Sequence, residues 1–205
     1  ANGRQGFFDR EIRTMNRRII LTGAFALFAT LSTVSFAHAG SNRVDISQNG
    51  RANELAVAQE GRGNEVNLNQ RGRRQYIRTT QNGRRNYSGV RQRGWRNEAT
   101  TQQYGRYNDS TISQDGRYND TAVAQYGNGN DSVVGQYGND LNATVVQDGN
   151  GNLIGVAQIG NNHDAYASQD GNNNALGVIQ VGNGQYTEVH QAGSGNVSLV
   201  IQGGH

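Results

Sequence analysis

From Asn42 onwards the chain alternates apolar and polar residues in bursts of seven, and the bursts recur every eleven residues. In residues 53–59 (NELAVAQ), positions 53, 55, 57 and 59 share one side of an extended strand, and 54, 56 and 58 share the other. The two central positions of the first row are Leu55 and Val57 here, Val66 and Leu68 in the next burst, and Ile154 and Val156 further on. Over fifteen bursts these thirty positions hold no charged, aromatic, Gly or Asn residue, whereas the other row takes Arg, Asp, Glu, Tyr and Gly freely. Period-two patterning with one dry row predicts fifteen β-strands.

Three residues are tied to this rhythm. Each burst ends on a Gln: Gln48, Gln59, Gln70, Gln81, Gln92, Gln103, Gln114, Gln125, Gln136, Gln147, Gln158, Gln169, Gln180, Gln191 and Gln202. Two places later comes a Gly: Gly50, Gly61, Gly72, Gly83, Gly94, Gly105, Gly116, Gly127, Gly138, Gly149, Gly160, Gly171, Gly182, Gly193 and Gly204. Six places before the Gln stands an Asn in eleven cases: Asn42, Asn53, Asn64, Asn86, Asn97, Asn108, Asn119, Asn130, Asn152, Asn174 and Asn196. Gln75, Leu141, His163 and Gln185 fill the other four slots.

Only four residues separate one burst from the next, and the fixed Gly supplies the positive φ that so tight a reversal needs. Each reversal is expected to be an arch that carries the chain to a facing sheet. Two strand–arch units then make a 22-residue coil, and coils stack in parallel with every Gln and Asn above its copy. Amides in such a column bond to the rungs above and below, as in an amyloid ladder. A buried amide without a partner costs about 1–3 kcal/mol, so recurrence at fixed spacing satisfies the interior. Strands of seven residues span about 23 Å, and seven to eight coils rise about 36 Å.

Composition agrees with an interior filled by stacking. The chain has 205 residues with 29 Gly, no Pro and no Cys, and 34% hydrophobic residues, too few bulky ones for an ordinary globular core. Residues 15–39 read as a secretory signal peptide: Met15, then Arg17 and Arg18, an apolar run from Ile19 to Phe36, and Ala37-His38-Ala39 as a cleavage pattern. Residues 1–14 precede the only Met and read as an upstream extension that is not native, leaving 40–205 as the mature repeat domain. The formal net charge of +3 falls outside that domain, which holds 14 Arg and 14 acidic residues. The basic pI therefore gives no reason to expect nucleic-acid binding. Charge is nevertheless polarised: residues 40–105 hold 12 Arg and 5 acids, and residues 106–205 hold 2 Arg and 9 acids. Opposite halves would attract head to tail. Only Gly40 and Ser41 precede the first burst and three residues follow Gln202. The expectation is a stack with uncapped ends, whose open strand edges template another copy.

The repeat resembles the curlin repeat of bacterial curli fibres. Residues 125–130 (QYGNGN) and 147–152 (QDGNGN) match it closely, and the resemblance extends over 42–202. It implies an all-β, curlin-like β-solenoid of two facing parallel sheets that becomes a cross-β amyloid on assembly. It also implies export across both membranes of a Gram-negative cell to an extracellular fimbrium serving adhesion and biofilm matrix. Implied partners are further copies of the chain in a head-to-tail polymer, another curlin subunit, and a curli-type outer-membrane secretion machinery. Regular repeats favour the major fibre subunit; the alternatives are a minor nucleator, or a solenoid that binds extracellular DNA or polysaccharide. Unlike the best-known curlins, this chain shows no sizeable non-repeat leader before the first burst, and it has more than five coils.

Chemistry of other kinds finds little footing. His163 occupies an Asn slot and reads as a ladder substitute, and the acidic residues scatter without a fixed partner, so no enzyme activity, metal or cofactor is expected. Arg51, Arg62, Arg73, Arg84, Arg106 and Arg117 recur at one arch position. With Tyr76, Tyr87, Trp95, Tyr104 and Tyr107 nearby, they form a candidate surface for DNA or an acidic polysaccharide.

Overall fold

A computed structural model describes residues 17–22 and 41–204, and the backbone there is almost all strand. A first strand, β1 (Arg17–Thr22), lies within the expected signal segment. The repeats then supply β2 (Arg43–Arg51), β3 (Glu54–Arg62), β4 (Glu65–Arg73), β5 (Tyr76–Arg84) and β6 (Tyr87–Trp95). They continue with β7 (Glu98–Arg106), β8 (Asp109–Arg117), β9 (Asp120–Asn128), β10 (Asp131–Asn139) and β11 (Asn142–Asn150). The last are β12 (Leu153–Asn161), β13 (Asp164–Asn172), β14 (Ala175–Asn183), β15 (Tyr186–Ser194) and β16 (Val197–Gly204).

Successive repeat strands fall on opposite sheets. One sheet has nine strands, β1-β2-β4-β6-β8-β10-β12-β14-β16, and the other has seven, β15-β13-β11-β9-β7-β5-β3. Every repeat strand pairs in parallel with the strand 22 residues away, so Gln114, Gln136 and Gln158 stand in one column. β1 alone runs antiparallel, from Arg17 opposite Gln48 to Thr22 opposite Arg43. The rest of residues 1–40, including the expected cleavage site, and His205 lie outside the described residues.

The chain is thus a β-solenoid of 22-residue coils, as the spacing predicts. Its interior is the dry row: Leu68, Ile77, Val90, Ile112, Val134, Val145 and Ile154 are all buried in one continuous cluster. Strand β9 shows the alternation residue by residue, with Thr121, Val123 and Gln125 buried between more exposed neighbours.

Strands β2 to β15 are nine residues long where the alternation predicts seven, because pairing continues through the arch glycine. Gly116 pairs in register with Gly138 at φ +137°. A Cβ at Gly116 would overlap the Gly138 carbonyl of the next coil. The glycine is therefore required by stacking as well as by φ. The sharp corner comes two residues later. There the backbone is left-handed in every arch, at Ala52, Arg74, Tyr107 and Asp140 (φ 54–57°) as well as at Gly63 and Gly129.

Candidate functional site

The most regular chemistry in the molecule is the column of glutamines. In the larger sheet, Nε2 of Gln92 donates to Oε1 of Gln114 at 2.8 Å, Gln114 to Gln136 at 2.9 Å, and Gln136 to Gln158 at 2.9 Å. The column continues in the same sense from Gln48 through Gln70 to Gln92, and from Gln158 through Gln180 to Gln202. The smaller sheet carries its own column from Gln59 through Gln81, Gln103, Gln125, Gln147 and Gln169 to Gln191, at 2.8–3.2 Å. Every rung donates in the same direction along the chain. Most of these amides also tie the two sheets together: Gln125 Nε2 on β9 reaches the Asp109 carbonyl on β8 at 2.7 Å, and Gln136 on β10 reaches Asp120 on β9 at 2.9 Å.

The Asn slot works differently from the amide-to-amide ladder expected of it. Asn119 Oδ1 accepts from the Leu141 backbone N–H at 3.2 Å, and its Nδ2 donates to the Gly138 carbonyl at 3.0 Å. Asn42, Asn53, Asn64, Asn86, Asn97, Asn108, Asn130, Asn152 and Asn174 make the same glycine-carbonyl bond at 2.8–3.3 Å. Asn is thus a bracket between its own arch and the backbone of the next coil. Side-chain-to-side-chain bonds in this slot join only Asn152, Asn174 and Asn196. The substitutes follow from this geometry. His163 accepts from Gln185 N–H through Nδ1 at 3.2 Å, as Asn does, while its Nε2 reaches the Ile159 carbonyl of its own coil at 3.1 Å in place of a glycine carbonyl of the next, so an imidazole reproduces the N–H end of the bracket. Leu141 fills the space with apolar bulk. Gln75 is one methylene too long: its Oε1 is buried without a partner. Gln75→Asn is expected to restore the bracket to Asn97 and Gly94 and to stabilise the solenoid by about 1 kcal/mol. A guanidinium midpoint that stays put or falls would contradict that geometry.

The arches differ between the two halves. In the second half, Asn128, Asn150 and Asn172 form an outer ladder at 2.8–3.0 Å, and Asn139, Asn161 and Asn183 form another at 2.9–3.0 Å. The equivalent place in the earlier arches holds Arg51, Arg73 and Arg117 on one edge and Arg62, Arg84 and Arg106 on the other. The two ion pairs among the described residues, Arg43–Glu65 and Arg93–Asp115, use none of these six. Aromatic rings accompany the neighbouring arginines: Arg96 lies 4.8 Å from the Trp95 ring and 5.6 Å from Tyr118, and Arg85 lies 5.6 Å from Tyr107. Tyr104 stacks on Tyr126 at 5.4 Å.

Stacking in register also places like charges together. Asp109 pairs with Asp131, and Glu98 with Asp120. Partial burial, and next the neighbouring carboxylate, push Glu98 and Asp109 above the usual carboxylate range. Burial alone raises Asp120, against a backbone hydrogen bond at Thr121 that lowers it. A folded-state pKa above the unfolded one means that the folded chain holds these protons longer. This contribution to stability is complete below the unfolded values near pH 4 and is lost as pH rises through the folded ones. The triple variant E98Q/D109N/D120N should therefore show a flatter dependence of its guanidinium midpoint on pH between pH 3 and 7. Equal slopes for variant and wild type would rule out the stacked carboxylates as its source.

Among the described residues, no group of three His, Cys, Asp or Glu side chains is arranged to hold a metal ion. Ser168 Oγ lies 2.6 Å from His190 Nδ1 on the outer face of the smaller sheet, while the nearby Glu188 accepts from Tyr186.

With the coil geometry defined, comparison with known families is decisive. The curlin associated repeat matches residues 41–72, 89–116, 116–149, 138–171 and 149–182, together more than half of the chain. The chain belongs to the curlin family. No individual curated protein matches it. In this curlin the matched repeats coincide with the Gln columns and Asn brackets just described. The left-handed arch corner, the outer Asn ladders and the backbone role of the inner Asn are structural features that the spacing of residues does not announce.

Proposed function

We propose that this curlin is a structural subunit of an extracellular amyloid fibre, built by head-to-tail stacking of solenoids, and that it is the major subunit. The observation that carries this reading is the one-way Gln column. Any finite stack of such coils presents Gln oxygen acceptors at one end and Gln N–H donors at the other, with open backbone N–H and C=O groups on both end strands. A coil from a second copy meets the same pattern as the chain's own next coil, so growth is linear and keeps one direction. Opposite charge in the two halves steers the approach of successive subunits.

The fibre reading brings with it processing after Ala39, export to the surface of a Gram-negative cell, a curli-type secretion machinery, another curlin as partner, and roles in adhesion and biofilm matrix. The test is a time course of thioflavin-type fluorescence on the processed chain, alone and with preformed seeds. Slow growth that seeds abolish the lag of is expected of a major subunit. Immediate unseeded growth that in turn seeds another curlin would reassign it as the nucleator, and a chain that stays monomeric at micromolar concentration would remove the fibre reading.

A second reading rests on the arch arginines, which no carboxylate pairs among the described residues. Arg62, Arg84 and Arg106 stack on successive rungs about 4.8 Å apart, as do Arg51 and Arg73, and they suit a polyanion such as DNA or an acidic polysaccharide. Binding that weakens steeply with salt, and that is lost in R62N/R84N/R106N, is expected; salt-independent binding would dismiss it.

A further inference from the structure

The outer face of the larger sheet changes character along the stack. On β4 and β6 its outward side chains include Glu65, Arg71, Arg91 and Arg93. On β12, β14 and β16 all twelve outward positions are Gly, Ala, Val, Leu or Ile. At the same height the smaller sheet stays polar, with Asp164, Ser168, Asp170 and Glu188 outward. Parallel strands that are apolar on both sides are those covered on both faces, and here one face is bare. Leu153, Ile159 and Val181 are 43–48% exposed. Between them Gly155 and Gly177 sit in register and open a trough of about 310 Å³, walled by Val133, Leu153, Ala175 and Val197.

We propose that this face is a lateral interface, and that its occupant is the same face of a second copy in a neighbouring fibre. The inference rests on the fibre reading above. Ridge and trough lie side by side on one surface, so the face is self-complementary. A ridge carrying Leu153 can seat in the partner's glycine trough with the two sheets about 10 Å apart. No charge on β12, β14 or β16 opposes close approach. Area decides between free dimers and paired fibres. Three strands with four outward positions each cover about 14 Å by 24 Å, so a pair buries about 700 Å² in all, below the roughly 1,200 Å² of a stable complex. In a fibre the face recurs with every subunit, and the contacts act together. Pairing is therefore a property of the polymer.

Mass per unit length of unstained fibres, read by scanning transmission electron microscopy, tests this. Wild-type fibres are expected at twice the value of a single solenoid. L153K/V181K, and the uncharged L153N/V181N should the first fail to assemble, are expected at the single value, a twofold drop. T144K on the smaller sheet is the control and should remain double. Wild-type fibres at the single value, or L153N/V181N fibres that stay double, overturn the inference. So does a third result, single wild-type fibres that bind phosphatidylcholine vesicles through this face, which would assign it to lipid. Absence of fibres altogether would remove the parent reading, whereas single fibres remove only this one.

Discussion

Replacing Gly116 by alanine is expected to rank with the other stacked arch glycines among the most costly single methyl additions to this molecule. Two independent effects combine. The backbone at φ +137° strains any L side chain, at about 1–3 kcal/mol. The added carbon would also overlap the Gly138 carbonyl, which is backbone and cannot swing aside. That carbonyl accepts the Asn119 amide, so moving it breaks the bracket as well. The sum is expected to exceed about 4 kcal/mol, the range reserved for a few named mechanisms. Gly129→Ala is the matched control. Its φ is +65°, a Cβ there meets nothing within 4 Å, and Ala52 and Tyr107 already adopt this conformation in their arches. Its cost should stay near 1–2 kcal/mol. Guanidinium titration of the β-sheet signal for the two variants separates them. Equal midpoints would mean that the arches do not stack as tightly as the carbonyl columns require.

Gln125→Glu comes second. The change keeps shape and volume but turns the amide donor into a carboxylate oxygen. Gln125 Nε2 faces the carbonyls of Asp109 and Asn130 and Oε1 of Gln147 at 2.7–3.0 Å, and the side chain is fully buried. An ionised Glu there meets three oxygens without a proton to share, a loss of about 3–5 kcal/mol at neutral pH. Burial and those oxygens raise its folded-state pKa, so the variant regains stability as pH falls and loses it as pH rises through that raised value. The expected result is a variant well below wild type at pH 7 that closes much of the gap near pH 4. A gap that is constant with pH would show that the column tolerates a buried charge, and with it that the amide bonds contribute little.

The fold was legible because two sequence signals agree. Alternation gives strands, and a fixed spacing of eleven from Gln48 to Gln202 gives coils of two strands. Turn chemistry was only half legible. Gly at the strand-end position is invariant, but the left-handed corner two residues on is occupied by Ala52, Arg96, Tyr118 and Asn173 alike, so no residue type marks it. The Asn slot is visible in the sequence as a position, but its bonding is not. An amide placed at an arch can meet a side chain or a backbone above it, and only the path of the arch decides. The apolar outer face was hidden for a different reason. Outward residues look mixed when read along the chain, because strands of the polar sheet are interleaved with those of the apolar one. Sorting every second strand onto one sheet, which the register does, gathers Leu153, Ile179 and Leu199 on one side. The strand β1 has no periodic signal of its own, since its six residues span the junction of the two arginines and the apolar run in what reads as a signal segment.

Diffraction from aligned fibres of the processed chain tests the stacking of amide columns most directly. A sharp meridional reflection at about 4.7–4.8 Å with an equatorial one near 10 Å is expected, from coils piled along the fibre axis and sheets facing across it. A pattern in which the 4.7–4.8 Å spacing lies off the meridian, or is missing from material that is nonetheless fibrous, would contradict head-to-tail stacking through the Gln columns.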